Sequence, residues 1–94
     1  MIAPRVHLNG TSRASLLEAI SSASKSVALA ISTLRDTAPH ARDYYVIGPD
    51  AYTQARDEYV ARLKRLHDTN DELIAMYHAI EANEVNFQTT TEAR

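Results

Sequence analysis

Apolar and small residues recur along the first part of the chain at Ile20, Ser24, Val27, Ile31, Leu34 and Ala38. The steps alternate four and three, the spacing of a coiled-coil seam. Leu16 and Leu17 extend the row toward the N-terminus. A second row, Tyr52, Arg56, Tyr59, Leu63, Leu66, Asn70, Leu73, Tyr77 and Ile80, repeats the alternation without a slip. Each row predicts an amphipathic helix. The punctuation agrees. Thr11 and Ser12 are good N-caps after an Asn9-Gly10 turn. Pro39 disfavours helix at Ala38, and Pro49 and Asp50 suit the start of a second helix. The two glycines and three prolines all fall outside the helical rows, as expected of an all-α chain.

One domain is expected over residues 1–94, with an extended segment 1–10, a helix 11–38, a turn 39–50, a helix 51–84 and a flexible tail 85–94 from which Phe87 could dock. Asp68-Thr69-Asn70-Asp71 prefers caps to helix interiors, and one continuous second helix is expected in spite of it. Helices of about 40 Å and about 50 Å then form a long antiparallel helical hairpin. Residues 1–10 fold back on the overhang of the second helix, placing Ile2, Val6 and Leu8 near Tyr77 and Ile80. Two helices cover only one face of each other, and a small chain buries too little surface to offset its ordering entropy. Leu16, Leu29, Val60, Ile74 and Met76 lie off the main seams. The expectation is therefore assembly into a homo-oligomeric helical bundle, the simplest being a dimeric four-helix bundle.

Charge and composition narrow the function. The formal net charge is −2, which argues against DNA or RNA as a partner, since nucleic-acid binders carry a basic face. There is no cysteine, so disulfides and thiolate metal sites are excluded. No apolar run is expected to approach the roughly 20 residues that span a bilayer. The start, Met1-Ile2-Ala3-Pro4-Arg5, has no hydrophobic signal core. A membrane partner is accordingly not expected.

Candidate chemistry concentrates in the turn. Arg42 offers a planar fork for phosphate or carboxylate. Tyr44 and Tyr45 offer stacking surfaces and hydroxyls. Gly48 permits close backbone approach, and the N-terminus of the second helix follows. These are parts of a site for an aromatic anion such as a nucleotide. The plainer reading is that the tyrosines cap the bundle end and Arg42 pairs with Asp43. His7, Asn9, Gly10, Thr11 and Arg13 form a second polar set that can hold phosphate or simply cap the first helix. Arg13 in the first turn opposes the helix dipole and invites an anion. Arg56 and Asn70 sit on an apolar seam, where polar residues fix register; alternatively Arg56, one turn after Tyr52, points into a ligand cavity between protomers. His67 and Asp71 have metal-binding spacing, but two ligands are too few. No nucleophile–base set is recognisable, so no enzyme, metal or cofactor is expected.

Together, His7-Leu8-Asn9-Gly10-Thr11-Ser12 and Arg42-Asp43-Tyr44-Tyr45 with Gly48-Pro49 resemble a family of small, largely uncharacterised proteins of tailed bacteriophages, over roughly residues 6–82. The resemblance implies a host bacterial cytoplasm as the setting. In size and build the chain is also similar to phage anti-defence proteins that oligomerise and sequester nucleotide immune signals. That likeness implies a non-catalytic sponge for a cyclic-nucleotide or ADP-ribose-type ligand, with a helical interaction module for a host or phage protein, or a minor virion component, as alternatives. The two polar sets lie at opposite ends of the first helix. They can share a ligand only across a subunit interface with antiparallel protomers.

Overall fold

A computed structural model describes the backbone of residues 1–92 and the side chains of residues 1–82. Among the described residues the protein is all-α, with two long helices and no strand. Helix α1 spans Arg13–Leu34 and helix α2 spans Ala51–Glu92, with short 3₁₀ turns at Arg35–Thr37 and Ala41–Asp43 between them.

Helix α1 begins where the caps place it. Ser12 has extended backbone, and its hydroxyl accepts a hydrogen bond from the Ser15 amide. The α-helix ends at Leu34, short of the expected Ala38. Its final turn tightens into 3₁₀ geometry, a common way to use the last carbonyls. The Thr37 hydroxyl donates to the Leu34 carbonyl at 2.7 Å, and Ala38 is already extended ahead of Pro39. Helix α2 is continuous through Asp68–Asp71 and runs to Glu92, eight residues past the expected end at Glu84. Asn86 and Thr89 to Thr91 are weak helix formers, but no glycine or proline stops them. The Phe87 side chain and residues 93–94 lie outside the described residues.

The helices pack side by side in a hairpin-like arrangement. Leu17 and Ile80 share one buried cluster, and Ser24 bonds to Asn70, so the pairings run in opposite order along the chain. The molecule is a rod of 72 × 18 × 16 Å. Its core is thin: among the described residues Val6, Leu17, Ile31 and Ile80 are the buried hydrophobics, and Leu16, Ile20, Met76 and Tyr77 pack around three of them. The N-terminal segment does fold back, but Val6 alone of its large apolar residues is buried. Ile2 and Leu8 are 92% and 94% exposed. The turn at Leu8–Asn9 and the bend at Gly10 rotate Leu8 away from the helices.

Two further expectations are corrected. Arg56 leaves the seam and is exposed, while neighbouring Ala55 is half-buried in its place. A small side chain allows close approach there, and a guanidinium stays in water. Second, Arg13–Thr37 does contain an 18-residue window with mean hydropathy 1.2, enough by length and composition to cross a membrane. Between Ala14 and Leu34 the only charged residues are Glu18 and Lys25; alanines, serines and threonines occupy the positions that look polar on a helical wheel.

Candidate functional site

The turn forms the tip of the rod. After extended His40, the 3₁₀ turn Ala41–Asp43 satisfies its own backbone. The Tyr44 and Tyr45 amides donate to the Ala41 carbonyl at 3.0 and 3.1 Å, and the Ile47 amide donates to the Tyr44 carbonyl at 2.9 Å. With the main chain closed on itself, the side chains are left to face outward. Tyr45, Val46 and Ile47 are 73%, 75% and 70% exposed. Tyr44 is half-buried and Arg42 is exposed. The expected Arg42–Asp43 pair does not form, and Arg42 makes no ion pair among the described residues. Gly48 is half-buried, yet a side chain built on it would touch nothing within 4 Å. Its place in the turn therefore imposes no steric need for glycine.

Beyond the tip, Tyr52 is half-buried on the α2 seam. Arg56 reaches the adjacent Asp57 at 3.4 Å on the open surface. The groove beside it is edged by Asp50, Thr53, Gln54, Asp57, Glu58 and Ala61, an acidic rim unsuited to an anion.

The second polar set serves the start of α1. His7, Asn9 and Thr11 are exposed. The His7 ring lies over Gly10, where a Cβ atom would come within 2.6 Å of Nε2. The Gly10 amide donates to the His7 carbonyl at 3.2 Å. Arg13 is half-buried, and its Nε is enclosed without a hydrogen-bond partner. The 22 residues of α1 hold this set about 33 Å from the tip. Within one chain the two sets do not meet.

Asn70 keeps its place on the seam, where it accepts from the Ser24 hydroxyl at 2.6 Å. Small Ser21 and Ser24 opposite Leu73 leave a groove of about 240 Å³, lined also by Ile20, Lys25, Ile74 and Tyr77. Sequence reasoning did not single it out; the serines facing leucine were the available signal. It falls below the usual size of a small-molecule pocket, and none of the expected site residues lines it. No three metal-ligating side chains converge among the described residues. On the solvated flank of α2, Asp68 accepts a hydrogen bond from Lys64 at 2.7 Å and holds that ammonium above its ordinary value.

No protein-family model matches the chain, and no curated protein or solved structure is similar enough to it to carry an assignment.

Proposed function

We propose that this chain is a non-catalytic, homo-oligomeric helical module that binds a protein partner through its inter-helix tip. One observation carries the reading: three consecutive large residues, Tyr45, Val46 and Ile47, stand at least 70% exposed on a turn whose backbone is closed by its own hydrogen bonds. Exposed aromatic and aliphatic side chains in one patch are what a partner surface buries, and tyrosine and arginine dominate such contacts. The phage-like motifs favour a host or phage protein in the bacterial cytoplasm as that partner.

A second reading, capture of a nucleotide-type anion, is favoured by Arg42, which is exposed and unpaired among the described residues beside two tyrosines. A site of that kind is open in one chain and is completed by a second protomer. Thermal-shift measurements with cyclic dinucleotides, cyclic trinucleotides and ADP-ribose derivatives separate the readings. The protein-binding reading expects no stabilisation by any of them, and co-purification of a host protein that is lost in Tyr45→Ala. A nucleotide-dependent shift abolished by Arg42→Ala would replace it with the second.

A further inference from the structure

The most apolar helix of this protein is also thinly covered. Of the window in Arg13–Thr37 that reaches mean hydropathy 1.2, 11% is buried. Helix α2 covers the arc that holds Leu17 and Ile31. Beside it lies a half-covered flank on which Leu16, Ile20, Ala23, Val27, Ala30 and Leu34 follow one another in steps of four and three; Leu16, Ile20, Val27 and Leu34 are half-buried, and Leu16 and Ile20 also pack on the cluster around Leu17. This flank, which shares Ile20, Val27 and Leu34 with the row that faces α2, has the spacing of a coiled-coil seam. None of its residues is charged, and Ala23 and Ala30 are exposed. Ile20 borders the groove against α2 together with Ser21 and Lys25; at about 100° per residue, Ser21 and Lys25 fall on the other flank of α1.

The uncovered area indicates the size of what covers it. A folded monomer of 10.4 kDa exposes about 5,400 Å² by the usual scaling, about 1,600 Å² less than the 6973 Å² this chain exposes. A standard interface hides about 800 Å² per partner, and obligate dimers hide more. The elongated shape, 72 × 18 × 16 Å, raises the exposed area by itself, and the excess leaves room for an interface of standard size.

We propose that this seam is covered by the same seam of a second copy, packed antiparallel about a two-fold axis level with Lys25. The inference rests on the oligomeric reading above and names its interface. The register follows from side-chain volumes. Antiparallel, Leu16 packs against the partner's Leu34, Ile20 against the partner's Ala30, and Ala23 against the partner's Val27. Large residues thus meet small ones along the middle of the seam, and its layers fill evenly. In a parallel pair Ala23 and Ala30 would each face their own copy, leaving gaps between layers of isoleucine and valine. The helix ends agree. Helix α1 has no acidic residue in its first turn, so the positive end of its dipole is uncompensated by charge there, while Arg35 stands at its C-cap. Antiparallel packing sets each N-terminus beside the partner's C-terminus. It also brings the half-buried Arg13 about level with the partner's Asp36. A lipid surface is the other occupant an apolar helix admits. The net charge of −2 offers an anionic bilayer no attraction, and self-matching volumes serve no purpose against lipid.

Sedimentation velocity of the full chain at micromolar concentration should show a dimer or a multiple of it. Ala23→Glu with Ala30→Glu changes two exposed positions, so helicity by circular dichroism should persist while the dimer dissociation constant rises at least about 100-fold. The absence of native cysteine allows a register test that does not depend on that variant. Ile20→Cys mixed with Ala30→Cys should oxidise to a mixed dimer. Ala30→Cys alone should stay unlinked, because its copies would lie about 15 Å apart along the axis, beyond disulfide reach. A monomeric wild type overturns the inference, as does an Ala30→Cys homodimer. Flotation with phosphatidylcholine–phosphatidylglycerol vesicles that the double glutamate variant abolishes also overturns it and assigns the seam to lipid. An oligomer that survives the glutamates overturns this interface alone; binding at the tip, read from Tyr45→Ala, then stands or falls separately.

Discussion

Ser24 on α1 donates a 2.6 Å hydrogen bond to the side-chain oxygen of Asn70 on α2, 46 positions further along the chain. The bond is partly buried within an otherwise apolar seam. Removing one partner leaves the other poorly satisfied, which costs more than the bond itself contributes. Ser24→Ala should lower stability by about 1–2 kcal/mol, and adding Asn70→Leu should recover much of the loss. Urea unfolding of the two variants checks both numbers.

Ile80 has no exposed surface, whereas Val60 is 56% exposed. Ile80→Ala should cost about 2–4 kcal/mol through lost burial and a residual cavity. Val60→Ala should stay within about 0.5 kcal/mol. Equal midpoints for the two variants would mean that the cluster around Leu17 and Val6 does not hold the helices together.

The glycines make opposite demands. No glycine takes a positive φ, and a Cβ on Gly48 meets open space. Gly48→Ala should therefore stabilise by about 0.5 kcal/mol by narrowing the unfolded ensemble. Gly10→Ala must displace the His7 ring from 2.6 Å and should be less favourable than Gly48→Ala, the difference vanishing in a His7→Ala background. Melting temperatures of wild type, His7→Ala and each glycine variant in both backgrounds decide this.

Arg42→Ala and Tyr45→Ala remove exposed side chains that make no ion pair or core contact. Their unfolding free energies should match wild type within about 0.5 kcal/mol. Partner affinity at the tip should fall by about 10- to 100-fold for whichever residue is a binding anchor. Calorimetric titration beside a melting curve separates lost recognition from lost fold.

Much of this architecture was legible because helix rows, caps and breakers pointed to one answer. Ser12, Pro39 and the row from Tyr59 to Ile80 all sit where the pattern placed them. The misses have local causes. Arg56 was read by spacing, but a long charged side chain escapes a seam that Ala55 can fill. Leu8 was read by its hydrophobicity, but the turn at Leu8–Asn9 decides its direction. The C-terminal end of α2 was set too early because threonine and asparagine weaken a helix without ending it. For the candidate site, sequence identified Arg42 and Tyr45 as unusual residues in a connector. It could not reveal that Arg42 ignores Asp43, since pairing between neighbours depends on side-chain directions fixed by the 3₁₀ turn.

Among the described residues, Ile80 alone loses all contact with solvent. Unfolding one such chain exposes little new apolar surface, so its heat-capacity change should be small and its transition broad. If a second copy supplies the missing cover, folding becomes a mass-action process, and the melting temperature climbs with protein concentration. Dilution alone should then unfold material that is fully helical at high dose. The local concentration of the protein, as much as its sequence, would set how much of it exists in a folded state.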